Sequence, residues 1–464
     1  MINTTGDKQN ASSAYLDGTA SVFNEAPADT QSSSAATAPT HTTDMPPDYS
    51  TVEIQNGFQN TTLSPTVSSA ETYPASLTRN ENSYSTLTVA TNKPKEIHAT
   101  KGFDFTRSLV ISATNLSKSS MTVEPDIDIN NNDTIIVIAK VTSSKTNLSD
   151  KCNVTWQVNQ QGAYELNVNS GWSMWSMASV ECQFTLRLPP NIIRTHPGLR
   201  ADLSGGRVDM EHLGNITFDH VAIKSNNSAV SLLEVNGGIV QVTTTNAKIC
   251  LKNVVAQNAM DIKTVNGPIS VSESRAKRMG IKTTNGPVDL QATSAQVIQV
   301  ETTNAKIISN KVVAAEARFT TTNRTIKASN NNIDSLHIST TDAKIEGTWI
   351  VGCNLDIKTT DSRIDGFILF KQPTARANIR LATTDSRIKV RLPAAEFRGT
   401  FDAKTTSRTV NIKWKNAQDV QKPAIRQIVE EKSYKRGVIG EPHESQQHEL
   451  LAQTSDSGIE IVFV

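Results

Sequence analysis

Six cations recur at one place in the second half of the sequence: Lys248, Lys306, Lys344, Arg363, Arg387 and Arg408. Each is expected two residues past a corner of the chain, which predicts a basic column facing solvent. In the later repeats the corners themselves are acidic, at Asp342, Asp361 and Asp385. Stacked aspartates repel one another unless they share a cation such as Ca²⁺, which takes several oxygen ligands, or sit beside compensating charge. Each has a Lys or Arg two residues on, so the spacing favours an exposed salt ladder, of small energy per pair, over a metal site. No cofactor is expected. A polysaccharide-cleaving site could recruit Asp361, Arg363, Asp385 and Arg387 as acid, base and positioning charge. Those residues recur from repeat to repeat, whereas a catalytic site is a local departure from one, so the chain is expected not to be an enzyme. No nucleophile elbow, phosphate-binding loop or zinc-protease helix motif occurs, and His337 reads as an isolated, solvated position. Beside the charges runs a hydroxyl column, Thr245, Thr284, Thr303, Thr322, Thr341, Thr360, Thr384 and Thr406. The cations together with Thr284, Thr303, Thr341 and Thr360 form the expected contact surface.

What must hold these columns is a repeat. Asn246, Asn266, Asn285, Asn304, Asn323, Asp342 and Asp361 follow one another at 20, 19, 19, 19, 19 and 19 residues, and Asp385 opens one more unit. A fixed period of this kind marks a stacked architecture. Three places after the Asn/Asp stand Ile249, Ile269, Val288, Ile307, Ile326, Ile345, Ile364 and Ile388; four before it stand Val242, Ile262, Ile281, Val300, Phe319, Ile338, Ile357 and Leu381. These are the core columns, because alternation along a strand sends every second side chain inward. Parity also turns Thr244, Thr264, Thr283, Thr302, Thr321, Thr340, Thr359 and Thr383 inward, where each hydroxyl can bond the next rung or a corner backbone group. Asn-Gly between apolar runs is a hairpin signal as well. A type I′ turn needs positive φ at both central residues, and Ala247, Ala305, Arg324, Ala343 and Ser362 resist it. A solenoid corner asks for the left-handed conformation only at the Asn or Asp, and its rungs stack about 4.8 Å apart. The expected fold is therefore all-β: a single β-solenoid stack with rungs of about 19–20 residues.

Residues 1–101 are rich in Ser, Thr, Asn and Pro and show no apolar period, so they are expected to be a disordered tail. Within it Pro46, Pro47 and Tyr49 form Pro-Pro-x-Tyr, a ligand pattern for the aromatic groove of a WW domain. Residues 102–230 read as opening coils and a cap, with the aromatic run around Trp172 and Trp175 as a plug. The regular repeats occupy 231–415, a polar insertion 416–450, and a last rung 451–464. A net charge of +1 gives no general pull toward nucleic acid or anionic membrane. The start lacks the charged and apolar regions of a secretory signal and no transmembrane run occurs, which predicts a cytoplasmic protein, with unconventional export to the cell surface as the alternative. Cys152, Cys182, Cys250 and Cys353 have no metal-ligand spacing and are expected as free thiols, with a Cys152–Cys182 disulfide possible in a secreted chain. Asn-x-Ser/Thr sequons such as Asn147, Asn153, Asn215 and Asn323 occur about as often as composition alone would give.

A strand ending in Leu-Pro (Phe184 to Pro190, and again Val390 to Pro393), followed by rungs of Thr-Thr-Asn-Gly-x-Ile, resembles the putative-adhesin β-solenoid domain of bacteria and its fungal relatives, over residues 180–464. The resemblance implies a surface-binding role without catalytic residues. Two functions are expected: an adhesin-like module contacting protein or glycan through its repetitive flank, or an intracellular scaffold that recruits a WW-domain protein.

Overall fold

The computed structural model describes residues 85–89, 96–126, 134–144, 152–170, 179–189, 194–415, 425–440 and 448–464. All lie in one unit, Leu77–Val464. The Pro46-Pro47-x-Tyr49 motif and the Trp172 and Trp175 plug fall outside the described residues, as does nearly all of the expected tail.

Among the described residues every regular element is a strand, and 33 strands join in one hydrogen-bonded network. In the regular part each rung carries a short and a long strand. Ile249–Lys252 and Val255–Lys263 are one such pair, and each lies parallel to its equivalent one rung on, Ile269–Ser272 and Arg275–Lys282. Both expected apolar columns are buried throughout, from Ile249 and Val242 to Ile388 and Leu381. They form one continuous core, in which each rung covers the apolar face of the last. The fold is the β-solenoid that the period predicts.

The inner Thr column is buried as parity requires. Each hydroxyl donates to a carbonyl at the preceding corner, for example Thr340 to Thr322 at 3.0 Å, Thr359 to Thr341 at 3.1 Å and Thr383 to Thr360 at 3.0 Å. This bond satisfies a buried hydroxyl and fixes the corner.

The left-handed conformation is not at the corner Asn or Asp. It belongs to Glu234, Asn253, Glu273, Ala292, Lys311 and Asn330, with φ from 51° to 57°, where the short strand turns into the long one. The Thr–Asn corner needs no such residue because the rung below already holds it: the Asn266 and Asn285 amides donate to the carbonyls of Thr245 and Val265, both at 2.8 Å. The corner asparagines instead form a side-chain ladder. Asn246 donates to Asn227 (2.8 Å), Asn266 to Asn246 (2.6 Å), Asn285 to Asn266 (2.8 Å), Asn304 to Asn285 (2.9 Å) and Asn323 to Asn304 (2.6 Å).

Two sequence boundaries shift. Folded structure begins inside the span 1–101: Ser85–Val89 and Glu96–Asp104 pair antiparallel, and Glu96–Asp104 pairs onward with Thr134–Ser143. Ile97, Ala99 and Phe103 supply the buried face, masked in the sequence by polar neighbours. The span 416–450 is not only an insertion. Ile425–Glu430 and Tyr434–Ile439 form an antiparallel hairpin whose second strand pairs with Gly399–Thr405.

The last segment of the chain is not the last rung of the stack. His448–Thr454 lies between Asn378–Ala382 and Gly399–Thr405, and Ile459–Phe463 lies between Ile388–Leu392 and Val410–Trp414. The corner order is therefore Asp342, Asp361, Asp385, Asp456, Ser407.

Candidate functional site

Over these five corners the surface opens into a groove of about 640 Å³, within the range of ligand sites. One wall is the outer hydroxyl column, here Thr341, Thr360, Thr384, Ser455 and Thr406; the other is the column three places before each corner, Ser339, Lys358, Ala382, Gln453 and Lys404. The floor is the inner Thr column, whose hydroxyls already serve the backbone. Ser339 and Ala382 are short, and they open this second wall. Two of the earlier rungs close it with charge, where Lys282 meets Glu301 at 3.3 Å. Among the described residues the hydroxyls of Thr341, Thr360 and Thr384 make no hydrogen bond within the protein, so each offers a donor and an acceptor to a ligand. Lys358 meets Asp356 at 3.2 Å, while Lys404 is in no ion pair among the described residues.

Beside the hydroxyl wall run Asp342, Asp361, Asp385 and Asp456. The expected salt ladder does not form there: among the described residues none of the four is within ion-pair distance of a cation. The cations reach across the strand face instead. Lys344 binds Glu346; Arg387, Lys389 and Lys413 gather on Glu460, whose side chain is 8% exposed. The backbone explains this: residues 340–344 turn the corner outside any strand, whereas Glu346 lies in the strand Ile345–Lys358 that follows Lys344, and Glu460 lies on the adjacent rung in register with Lys389. The carboxylates thus stack where asparagines would exchange hydrogen bonds. Partial desolvation, and then the neighbouring Asp361 and Asp456, hold Asp385 above the usual carboxylate range. Asp385→Asn is expected to raise the thermal midpoint at neutral pH and low salt, with the gain shrinking as salt screens the stack. An unchanged midpoint at low salt would show that the carboxylates do not repel.

Of the surface expected from sequence, Thr341 and Thr360 line the groove. Thr284 and Thr303 occupy the same column on earlier rungs, outside it. Lys248, Lys306, Lys344, Arg363 and Arg387 lie beyond the corner and do not line it. Nor is their column continuous, because Pro268, Pro287 and Thr325 interrupt it. Arg408 stands one place off: Val410 pairs with Ile459, which pairs with Ile388, so Arg408 aligns with Ser386 and not with Arg387. His337 is not isolated, since its Nδ1 lies 3.0 Å from Asp356. Lys358, Lys404 and Gln453 were missed, although the column three before each corner could have been read from the same alignment.

All four cysteines are free thiols. Burial pushes Cys152 up to about 11 and Cys182 higher still, which makes both poor nucleophiles. Among the described residues no cluster of three or more His, Cys, Asp or Glu side chains is placed to hold a metal ion, and no helix is long and apolar enough to cross a membrane.

The Toastrack DUF4097 family profile matches residues 52–307, more than half of the chain. A crystal structure of a "putative cell adhesion protein" from Clostridium sporogenes is similar over 79% of this chain and 99% of its own, at 8% identity and a TM-score of 0.15. No curated protein matches the sequence.

Proposed function

The chain belongs to the Toastrack DUF4097 family, and from that premise we propose that it is a non-enzymatic binding module that holds an extended glycan in the groove of its last rungs. The observation that carries this is the row of outward hydroxyls at Thr341, Thr360, Thr384, Ser455 and Thr406, one per rung along an open groove. A polyhydroxylated chain lying along the stack meets a hydroxyl at each step of about 4.8 Å, free to donate and accept at Thr341, Thr360 and Thr384, whereas the Thr406 hydroxyl already donates to the Ser455 carbonyl and is left to accept. Lys404 and Gln453 add a cation and an amide from the opposite wall. Each such contact is weak in water, about 1 kcal/mol, so the repeat supplies affinity by number. This suits adhesion, in which many copies of module and ligand engage together.

The test is binding of the full chain to an array of surface polysaccharides, followed by titration with the best ligand. Thr360→Val and Thr384→Val keep the shape and remove the hydroxyl; each is expected to weaken binding about 5-fold, while Thr284→Val, outside the groove, leaves it unchanged. Retention of no glycan by the wild type, or equal loss in all three variants, would sink the proposal.

A further inference from the structure

We infer that the gap between the Asp385 rung and the Ser407 rung is a strand-acceptor site, and that residues 448–463 of a second copy of this chain can fill it in place of the chain's own. The inference does not depend on what the groove binds.

The topology carries it. Both neighbours of the inserted segment, Asn378–Ala382 with Ile388–Leu392 on one side and Gly399–Thr405 with Val410–Trp414 on the other, precede it in the chain. They face one another across a space one rung wide, and among the described residues the segment 448–463 closes it. A segment that follows both of its neighbours in the chain and reaches its place between them through the link of residues 441–447 is of the kind that identical chains exchange.

The segment also carries its own complete set of attachments. Leu450, Ala452, Ile459, Ile461 and Phe463 are buried in the core column. His448 stacks on Phe370 with centroids 4.0 Å apart and accepts the Ala377 amide at 3.2 Å. At the other end Phe463 stacks on Trp414 at 4.8 Å, and the Ala394 amide donates to the Val464 carbonyl at 2.8 Å. Glu460 draws in cations from both flanking rungs, Lys389 at 3.7 Å and Lys413 at 3.0 Å. Every partner is in the slot, so a segment from another chain meets the same contacts. The connection through residues 441–447 gives the chain's own segment a high effective concentration, so exchange needs either a concentrated protein or a severed connection. Because Gln453, Thr454 and Ser455 line the groove, an exchanged pair would build that groove from two chains.

The test uses the full chain with a protease site placed within residues 441–447. After cleavage and a mild urea step that releases the native fragment, a fluorescent peptide of residues 446–464 is added and the mixture is gel-filtered. One peptide per chain is expected, displaced by excess unlabelled peptide, while a peptide with Ile461→Asp binds about 100-fold more weakly because it puts a charge in the core. The uncut chain is expected to form dimers at high concentration by light scattering. Failure of a folded, emptied chain to take the peptide overturns the inference. So does permanent loss of β-sheet circular dichroism once the fragment leaves, since the slot then does not persist.

Discussion

Trp349→Ala is expected to lower the unfolding free energy by about 4 kcal/mol, the middle of the range for removal of a core aromatic. Trp349 is fully buried, and its strand Ile345–Lys358 runs unbroken where earlier rungs turn a left-handed corner. The indole fills the space that this turn otherwise occupies, standing in register with Asn331 on one side and Ile368 on the other. Two glycines make room. A Cβ at Gly366 would come within 2.1 Å of the six-membered ring; one at Gly347 would come within 3.0 Å of the indole Nε1, though it would first meet the Ala328 carbonyl oxygen at 1.7 Å. Gly366→Ala must therefore displace the ring and is expected to destabilise by about 2 kcal/mol or more. The pair should be strongly non-additive: with Trp349→Ala in place the new methyl meets empty space, and adding Gly366→Ala costs little. Trp349→Phe is the milder change, because it also removes an indole N–H that has no hydrogen-bond partner. Urea midpoints of the four variants check this; additive losses would mean that ring and glycine do not share the space.

That packing shows where the sequence was legible and where it was not. The columns through Ile249 and Val242 were plain because burial repeats the same demand on every rung, and only an apolar side chain meets it. The left-handed corner left no mark, because Glu234, Asn253, Glu273, Ala292, Lys311 and Asn330 share no chemistry; their common property is a backbone angle. The corner asparagines were conspicuous for a different reason from the one their type suggests. They are donors and acceptors in a ladder, which also explains why the switch to aspartate at residue 342 changes the surface so sharply. The groove was half visible. Its hydroxyl wall follows from parity, and its second wall stands in the same alignment three places before each corner, but that the short Ser339 and Ala382 open a groove there is seen only when the rungs are stacked. The place of Gln453 and Ser455 between Ala382 and Lys404 depends on a chain order that the period does not contain.

Acid is expected to destabilise the protein from pH 6.5 downward, before its carboxylates titrate, and two buried histidines are the cause. His196 sits between Phe105 and Phe218, at 5.0 and 5.5 Å, and its Nδ1 accepts the Gly198 amide at 3.1 Å. His448 accepts the Ala377 amide in the same way against Phe370. In both rings Nε2 has no hydrogen-bond partner, and burial outweighs the backbone groups that favour a second proton, Arg107 at His196 and Pro373 and Glu396 at His448. Burial drives His196 down to about 4, with the Arg107 backbone acting weakly the other way, and burial lowers His448 as well. A histidine whose folded pKa lies below its unfolded value leaves the unfolded chain binding the extra proton. The stability is complete above 6.5 and drains as pH falls toward 4; for His196 alone the loss is about 2 kcal/mol by pH 5 and about 3 kcal/mol by pH 4. Glu96 and Glu346, held low by Lys140 and Lys344, lose their contributions only below their ordinary 4.5, so they do not account for a decline between 6.5 and 5. Asp385 works in the opposite sense, since a raised carboxylate is relieved by protonation. Urea unfolding at pH 7.5, 6 and 5 reads the slope, and His196→Phe should flatten it even if it lowers stability at neutral pH. Hydrogen exchange separates the two sites. His196 belongs to the opening rungs and His448 to the inserted strand, so acid should first loosen the stack at these two places, leaving the asparagine-cornered rungs between them protected.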